Sequence, residues 1–280
     1  MTKIAVVTDS VATVPEELIG ELGISVVPII LNHGGRSYRD GEDLTPTQFF
    51  RLLRSSEEPP VTSTPSVGDI IEVYEAAARG ASGVVGIHLS SRLSATYETA
   101  VLAGRSLGVP VRVVDSRTAT MAEGFVVIEA ARAAALGDGL DAVAERATEM
   151  ASRVRFYGFL ETLEYLHRGG RIKGAAAFMG SLLQFKPVIH IVDGMIEPHA
   201  KPRTRRKATE TLLDIMAGEV GDRPVHAAVV QADAADDAEE LRARVAGGFN
   251  CAELYVSELT PVMGAHTGPG LLGLAYYVDD

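Results

Sequence analysis

Cysteine is nearly missing from this sequence: Cys251 is the single one in 280 residues. That excludes a disulfide framework and a thiolate metal cluster, and it makes the cytoplasm the expected compartment. No apolar run reaches the length of about 18 residues that a membrane span requires, so nothing membrane-embedded is expected. The apolar stretch after Met1-Thr2-Lys3 is too short for a signal peptide, and none is expected. Basic residues are in deficit, 26 against 37 acidic, for a net charge of −11. Non-specific nucleic-acid binding is therefore not expected, although a local site can oppose the global charge. No Walker pattern offers a nucleotide loop, no His/Glu or Cys/His spacing suggests a metal site, and no cofactor is expected.

Apolar residues are plentiful, at 46%, enough for a substantial core. The most informative stretch is Val84 to Tyr97. Val84–Leu89 reads as a buried strand, and helical spacing of apolar residues resumes at Tyr97, Ala100 and Val101. Ser94 falls between them, where a helix N-cap belongs. The N–H groups of Ala95 and Thr96 are then expected to be free donors facing an anion. Such a hydroxyl at a strand end points into the crevice where open α/β sheets bind ligands. The plainer reading is that Ser94 only caps its helix.

The same step recurs. Strands at 3–7 and 111–114 end in Asp9-Ser10 and Asp115-Ser116, the rhythm of a parallel α/β sheet. A second apolar strand is predicted over Ile24–Leu31, a hairpin or surface excursion over Asn32–Asp43, and a polar break over Glu57–Pro60. Helices are predicted over Val67–Ala78, Met121–Leu136 and Leu140–Ala151. Beyond residue 153 the pattern changes. A hairpin is predicted about Asp193-Gly194, with strands at Val225–Gln231 and Cys251–Leu259 and a helix from Arg203 to Val220. The expected division is an N-terminal α/β domain, 1–155, with a mainly parallel sheet flanked by helices, and a C-terminal α/β domain, 156–280.

Three hydroxyl-rich turns are candidates to meet: Thr62-Ser63, Ser91 with Ser94, and Asp115-Ser116. Clustered hydroxyls can hold a carboxylate or phosphate without a fixed positive charge. Thr62 and Ser63 read equally well as caps of the helix near Pro65. His266, before Thr267-Gly268-Pro269-Gly270, is placed in a turn, able to donate to an anion or act as a base. His88, inside its strand, reads as structural. Ser94, His266 and Asp115 invite a triad, and with it a serine hydrolase acting on acyl esters, but the Gly-Xaa-Ser-Xaa-Gly elbow is missing around Ser94. The basic run Lys201 to Lys207 reads either as a solvated helix start or as a docking patch for a phosphorylated ligand or acidic partner. A regulatory module that binds a partner through this basic run is a third reading.

Several stretches together resemble the DegV family of bacterial fatty-acid-binding proteins. They are Thr8-Asp9-Ser10, Thr62-Ser63-Thr64-Pro65-Ser66, Ser90 to Tyr97, Val114-Asp115-Ser116, Leu163 to Leu166 with Gly169-Gly170-Arg171-Ile172, Lys186-Pro187, and His266 to Gly270. They follow the family's order over residues 3–279. The resemblance implies a non-enzymatic carrier with one long-chain fatty acid such as palmitate buried between two domains. It implies that Thr62 and Ser94 hold the carboxylate, with Ser63, Ala95 and His266 beside them. It further implies a separate fatty acid kinase as partner, with Arg171 and Arg203 serving head-group or partner exchange. Transient contact with a membrane surface is compatible with that role. Two departures stand out: Ala95 replaces the family's usual glycine, and Thr64 replaces its frequent glutamine.

Overall fold

The structure is a computed structural model that describes residues 3–56, 58–172 and 185–279. Met1, Thr2 and Glu57, the first residue of the expected polar break, lie outside the described residues. The buried segment Ile4–Asp9 forms β1. A single 3-10 turn, Ser10–Ala12, leads from it to α1 (Glu16–Leu22). The single strand expected over Ile24–Leu31 is in fact two, β2 (Ser25–Val27) and β3 (Ile30–His33). Pro28 lies between them, has no N–H for a ladder, and lets the chain leave one sheet for another. β3 pairs with β4 (Arg36–Arg39) in the expected hairpin, turning on Gly34 and Gly35.

After α2 (Pro46–Ser55), β5 (Val61–Ser63) adds to β3, giving a three-stranded sheet in the order β4-β3-β5. Thr62 and Ser63 are thus strand residues and not helix caps. The cap of α3 (Val67–Ala77) is Ser66, in a reciprocal box with Asp69. Next come β6 (Gly83–His88), α4 (Thr96–Gly104) and β7 (Val111–Asp115). The four-stranded sheet β2-β1-β6-β7 is parallel throughout, with helices packed on it. α5 (Thr120–Leu136) and α6 (Leu140–Arg153) follow as a packed pair.

The second half contains β8 (Arg155–Phe159), α7 (Glu164–Arg168), β9 (Val188–Val192) and β10 (Met195–Ala200). Then come α8 (Arg205–Val220), β11 (Val225–Gln231), α9 (Ala235–Gly248), β12 (Cys251–Glu258), α10 (Pro261–Thr267) and β13 (Leu272–Val278). They build a six-stranded sheet, β10-β9-β8-β13-β11-β12, in which β11 and β12 are parallel and the other pairs antiparallel. The strands of the parallel sheet all precede residue 155, where the first strand of the larger sheet begins. α5 packs on β1 and β6 and also on β11 and β13. A helix covered from two sides needs an apolar surface all round, which the run Phe125-Val126-Val127-Ile128, fully buried, supplies. Among the described residues no helix is long and apolar enough to cross a membrane.

Candidate functional site

In the parallel sheet the chain runs from β1 outward to β2 on one side and, later, through β6 to β7 on the other. The carboxyl ends of β1 and β6 therefore flank a switch point, the position at which open α/β sheets leave a crevice. A cavity of about 260 Å³ lies there, far larger than one water needs. Val11 and Leu89 line it from the parallel-sheet side. Phe156, Ile189, Ile191 and Ile196 line it from β8, β9 and β10. The apolar space is thus formed between the two large sheets. One wall is fastened by the β9–β10 turn. There Ser90 Oγ donates to the Gly194 carbonyl at 2.8 Å, and Arg92 and Arg117 bond Asp193. Gly194 has φ 78°, and a Cβ on it would meet Ser90 Oγ, so the turn needs glycine twice over.

Thr62, Ser63, Ser94, Ala95, His266 and Arg171, all expected site residues, border this cavity together. Thr62 Oγ1 and His266 Nε2 are 2.8 Å apart. His266 Nδ1 is buried with no hydrogen-bond partner among the described residues, against Gly169, whose missing Cβ leaves room for the ring. Burial, and then the Arg171 charge, push the His266 imidazolium down to a pKa of about 4. The ring is neutral at pH 7. If its Nε2–H donates to Thr62 Oγ1, the Thr62 O–H is free to donate into the cavity. Ser94 Oγ lies 2.9 Å from Thr96 Oγ1 and accepts from the Thr96 N–H at 3.3 Å. Arg171 Nε donates to the Leu93 carbonyl at 3.3 Å, which brings a guanidinium to the cavity wall. Ser63 and Ala95 are exposed, so the polar end of the cavity meets solvent.

Several local expectations are corrected. α4 begins at Thr96, with Ala95 in the capping position, so Ser94 is one residue too early to be the cap. The Thr96 N–H is not free, because Ser94 Oγ takes it. His266 lies in the last turn of α10 and not in a loop, since Pro261 starts a helix there. Ser63 borders the cavity, where its hydroxyl accepts from Asn32 Nδ2 at 3.0 Å and keeps its own proton to give. Ala95 has φ −78°, an ordinary value for alanine, so its replacement of glycine causes no strain. The triad is not assembled. Asp115 accepts from Ser91 Oγ, at 2.6 Å, and from the Arg117 N–H, while His266 faces Thr62. Arg203 is exposed and lies outside the cavity, 6.0 Å above the Phe185 ring centroid. In the neighbouring basic run, Arg205 pairs with Glu161 and Asp237, and Arg206 and Lys207 pair with Glu210. The helix starts at Arg205, two residues later than expected.

A family model described as "Uncharacterised protein, DegV family" matches residues 3–279. The chain belongs to the DegV family. A DegV domain-containing protein of Streptomyces coelicolor is 41% identical over 276 residues, 97% of each chain. Among solved structures, a DegV family protein from Thermus thermophilus, described by its fatty acid binding, superposes with a TM-score of 0.93 at 36% identity. The match covers 99% of this chain and 100% of that one. DegV of Bacillus subtilis, described as a fatty acid binding protein, gives 0.92 at 31% identity over the whole of both chains. The DegV fold, with its parallel sheet flanked by helices, is the one the resemblance implied.

Sequence reasoning missed a buried carboxyl tied to Val262, a residue of the cavity lining. Asp40 is buried, accepts from Ser10 Oγ at 2.7 Å and from the Val262 N–H at 2.9 Å, and so ties β4, the 3-10 turn and α10. Burial raises its pKa from 3.8 to about 6. Folding thus favours its protonated form. That contribution to stability is full below pH 4 and is lost as pH rises through 6. His266, depressed by burial, acts the other way, costing stability as pH falls from about 6.5 towards 4. Asp40→Asn removes the first effect and keeps the second. Relative to the wild type, the variant should gain about 2 kcal/mol between pH 4 and pH 7, given 3.8 and about 6 as the two end points. Urea unfolding of both proteins across that range checks it, and a constant difference would refute it.

Proposed function

We propose that this protein is a non-enzymatic carrier that binds one long-chain fatty acid, palmitate among them, and presents its head group to a separate fatty acid kinase. The observation that carries the reading is the cavity: apolar between the sheets, and polar where Thr62, Ser94, His266 and Arg171 converge. Burying about fourteen methylenes at ~0.8 kcal/mol each offers up to ~11 kcal/mol before the entropy of association is subtracted. The remaining task is to satisfy a carboxylate. The Thr62 and Ser94 hydroxyls and the Arg171 guanidinium are suitable donors, and the neutral His266 ring orients the Thr62 hydroxyl. Exposure of Ser63 and Ala95 beside them supports presentation of the head group to a partner. The full-length likeness to solved DegV proteins described as fatty acid binding supports the ligand class.

Lipids extracted from the purified protein should contain a stoichiometric long-chain fatty acid by mass spectrometry. The same protein should not hydrolyse nitrophenyl acyl esters, because Ser94, His266 and Asp115 are not linked. Ester turnover abolished by Ser94→Ala would overturn the carrier reading. Arg203, exposed and outside the cavity, is assigned to the kinase encounter. Arg203→Ala should leave palmitate affinity within about two-fold and slow phosphorylation by an added cognate kinase by roughly ten-fold, as expected for loss of a charge-assisted contact. An equal loss of both would instead put Arg203 in the binding site.

A further inference from the structure

We infer that Phe156 closes the tail end of the cavity and sets the longest acyl chain that the protein accepts. This rests on the fatty-acid reading above and names a property of the ligand, its length, that the reading leaves open.

The polar end of the cavity is tied to one edge of the six-stranded sheet. Arg171 bonds the Leu93 carbonyl, and the next residue, Ile172, bridges to Ile196 of β10, the edge strand. His266 packs on Gly169, two residues before Arg171. From that edge the lining passes inward strand by strand. Ile196 of β10 pairs with Ile191 of β9, and Ile189 of β9 lies opposite Gly158 of β8. Phe156 is also on β8, two strands and roughly 10 Å in from β10. There the lining stops. β13 is the next strand, and none of its residues borders the cavity, although Leu271, just before it, does.

The Phe156 ring is the reason. Residues two apart on a strand share a face, so Phe156 and Gly158 point the same way. Gly273 of β13 lies opposite Gly158. A Cβ built on Gly158 would stand 3.1 Å from Phe156 Cζ, and one on Gly273 would stand 3.1 Å from Phe156 Cε2. The ring therefore lies over both glycines. Glycine inside a strand often marks a close approach, and here the approaching group is this ring. Two neighbouring positions without side chains would carry the cavity on from β8 to β13, and Phe156 fills that space.

A length limit follows. Each methylene that enters the apolar space strengthens binding about four-fold. The gain ends where the chain meets the ring, because a longer chain has to displace a packed aromatic side chain, and close-packed interiors yield poorly to added volume. With a smaller residue at 156, the strip over Gly158 and Gly273 joins the cavity and admits more of the chain.

The test is a length series of saturated fatty acids, octanoate to behenate, titrated into the delipidated full-length protein. Affinity for the wild type should climb with length and then fall. Phe156→Ala and Phe156→Leu should move the maximum to longer chains and tighten the first acid beyond the wild-type limit by roughly ten-fold. Gly158→Ala, whose methyl group pushes the ring into the cavity, should move the maximum to shorter chains. The shortest acids, whose tails end before the ring, should bind all four proteins within about two-fold. Phe156→Leu keeps more of the buried volume and serves where Phe156→Ala does not fold. An unchanged maximum in folded Phe156→Leu and Gly158→Ala overturns the assignment, as does a wild-type affinity that still climbs at behenate. So does an equal loss at every length in the folded variants, which would make Phe156 a packing residue alone. A wild type that binds no fatty acid of any length would instead refute the fatty-acid reading itself, and this inference with it.

Discussion

Asp9→Ala should destabilise the protein by about 3–5 kcal/mol, the scale expected when one partner of a buried charged network is removed. Asp9 is fully buried at the end of β1. Its carboxylate accepts from the Val11 N–H at 3.1 Å, the Leu89 N–H at 3.0 Å and His88 Nδ1 at 3.0 Å. On the far side of the ring, His88 Nε2 lies 2.8 Å from the Tyr74 hydroxyl. Burial raises the Tyr74 pKa far above its usual value, so the phenol keeps its proton and is able to donate it to Nε2. With Nε2 accepting, His88 Nδ1–H donates to Asp9, and the chain of bonds runs in one sense. Asp9→Asn keeps the volume but turns an NH2 group towards at least one of these three donors, so about 2 kcal/mol should still be lost. Tyr74→Phe breaks only the last link and should cost about 1 kcal/mol. Val11 and Leu89 both line the cavity, so Asp9 variants that fold should also bind palmitate more weakly. Urea unfolding at neutral pH decides the order of the three. A loss below 1 kcal/mol for Asp9→Ala would mean that the network is not what holds the two strand ends together.

This network shows where sequence reading stops. The strands themselves were legible, because Val84–Leu89 and Val225–Gln231 are apolar runs of strand length bounded by turn residues. His88 reads as structural from its place inside a strand, but nothing in the sequence marks Asp9 and Tyr74 as its partners. They lie 79 and 14 residues away along the chain, and nothing local links them. Pro28 was the overlooked signal in Ile24–Leu31, since a proline inside an apolar run argues for two strands in place of one. Ser94, Thr62 and His266 were found by combining weak turn motifs with the order of family motifs. Their local settings were less legible. The helix start at Thr96 and the short α10 differ by one turn or less from the expected turns, and helix ends are the least constrained feature of a sequence pattern. The cavity wall in β9 left a trace in the sequence. Ile189 and Ile191 alternate with His190 and so share a face, a period that points to a common apolar surface opposite β1 and β6.

Ser94→Ala should weaken palmitate binding by roughly ten- to a hundred-fold, since a hydrogen bond to a charged group is worth ~1.5–3 kcal/mol. The tail contribution is untouched, so affinity falls without vanishing. Ser94 also accepts from the Thr96 N–H at 3.3 Å. Losing that long bond should cost at most about 1 kcal/mol of folding stability, and a melting curve separates the two effects. Thr62→Ala should weaken binding similarly, and it also strips His266 Nε2 of its 2.8 Å partner. The neutral imidazole, depressed to about 4 by burial and by Arg171, then has a free N–H with which to approach the ligand. That substitution, together with a water able to fill either vacated place, makes the double variant less costly than the sum of the singles. Coupling of this sign requires both hydroxyls to grip one carboxylate. Additive losses would mean two independent contacts, and a folded double variant with unchanged affinity would remove Thr62 and Ser94 from the head-group site altogether.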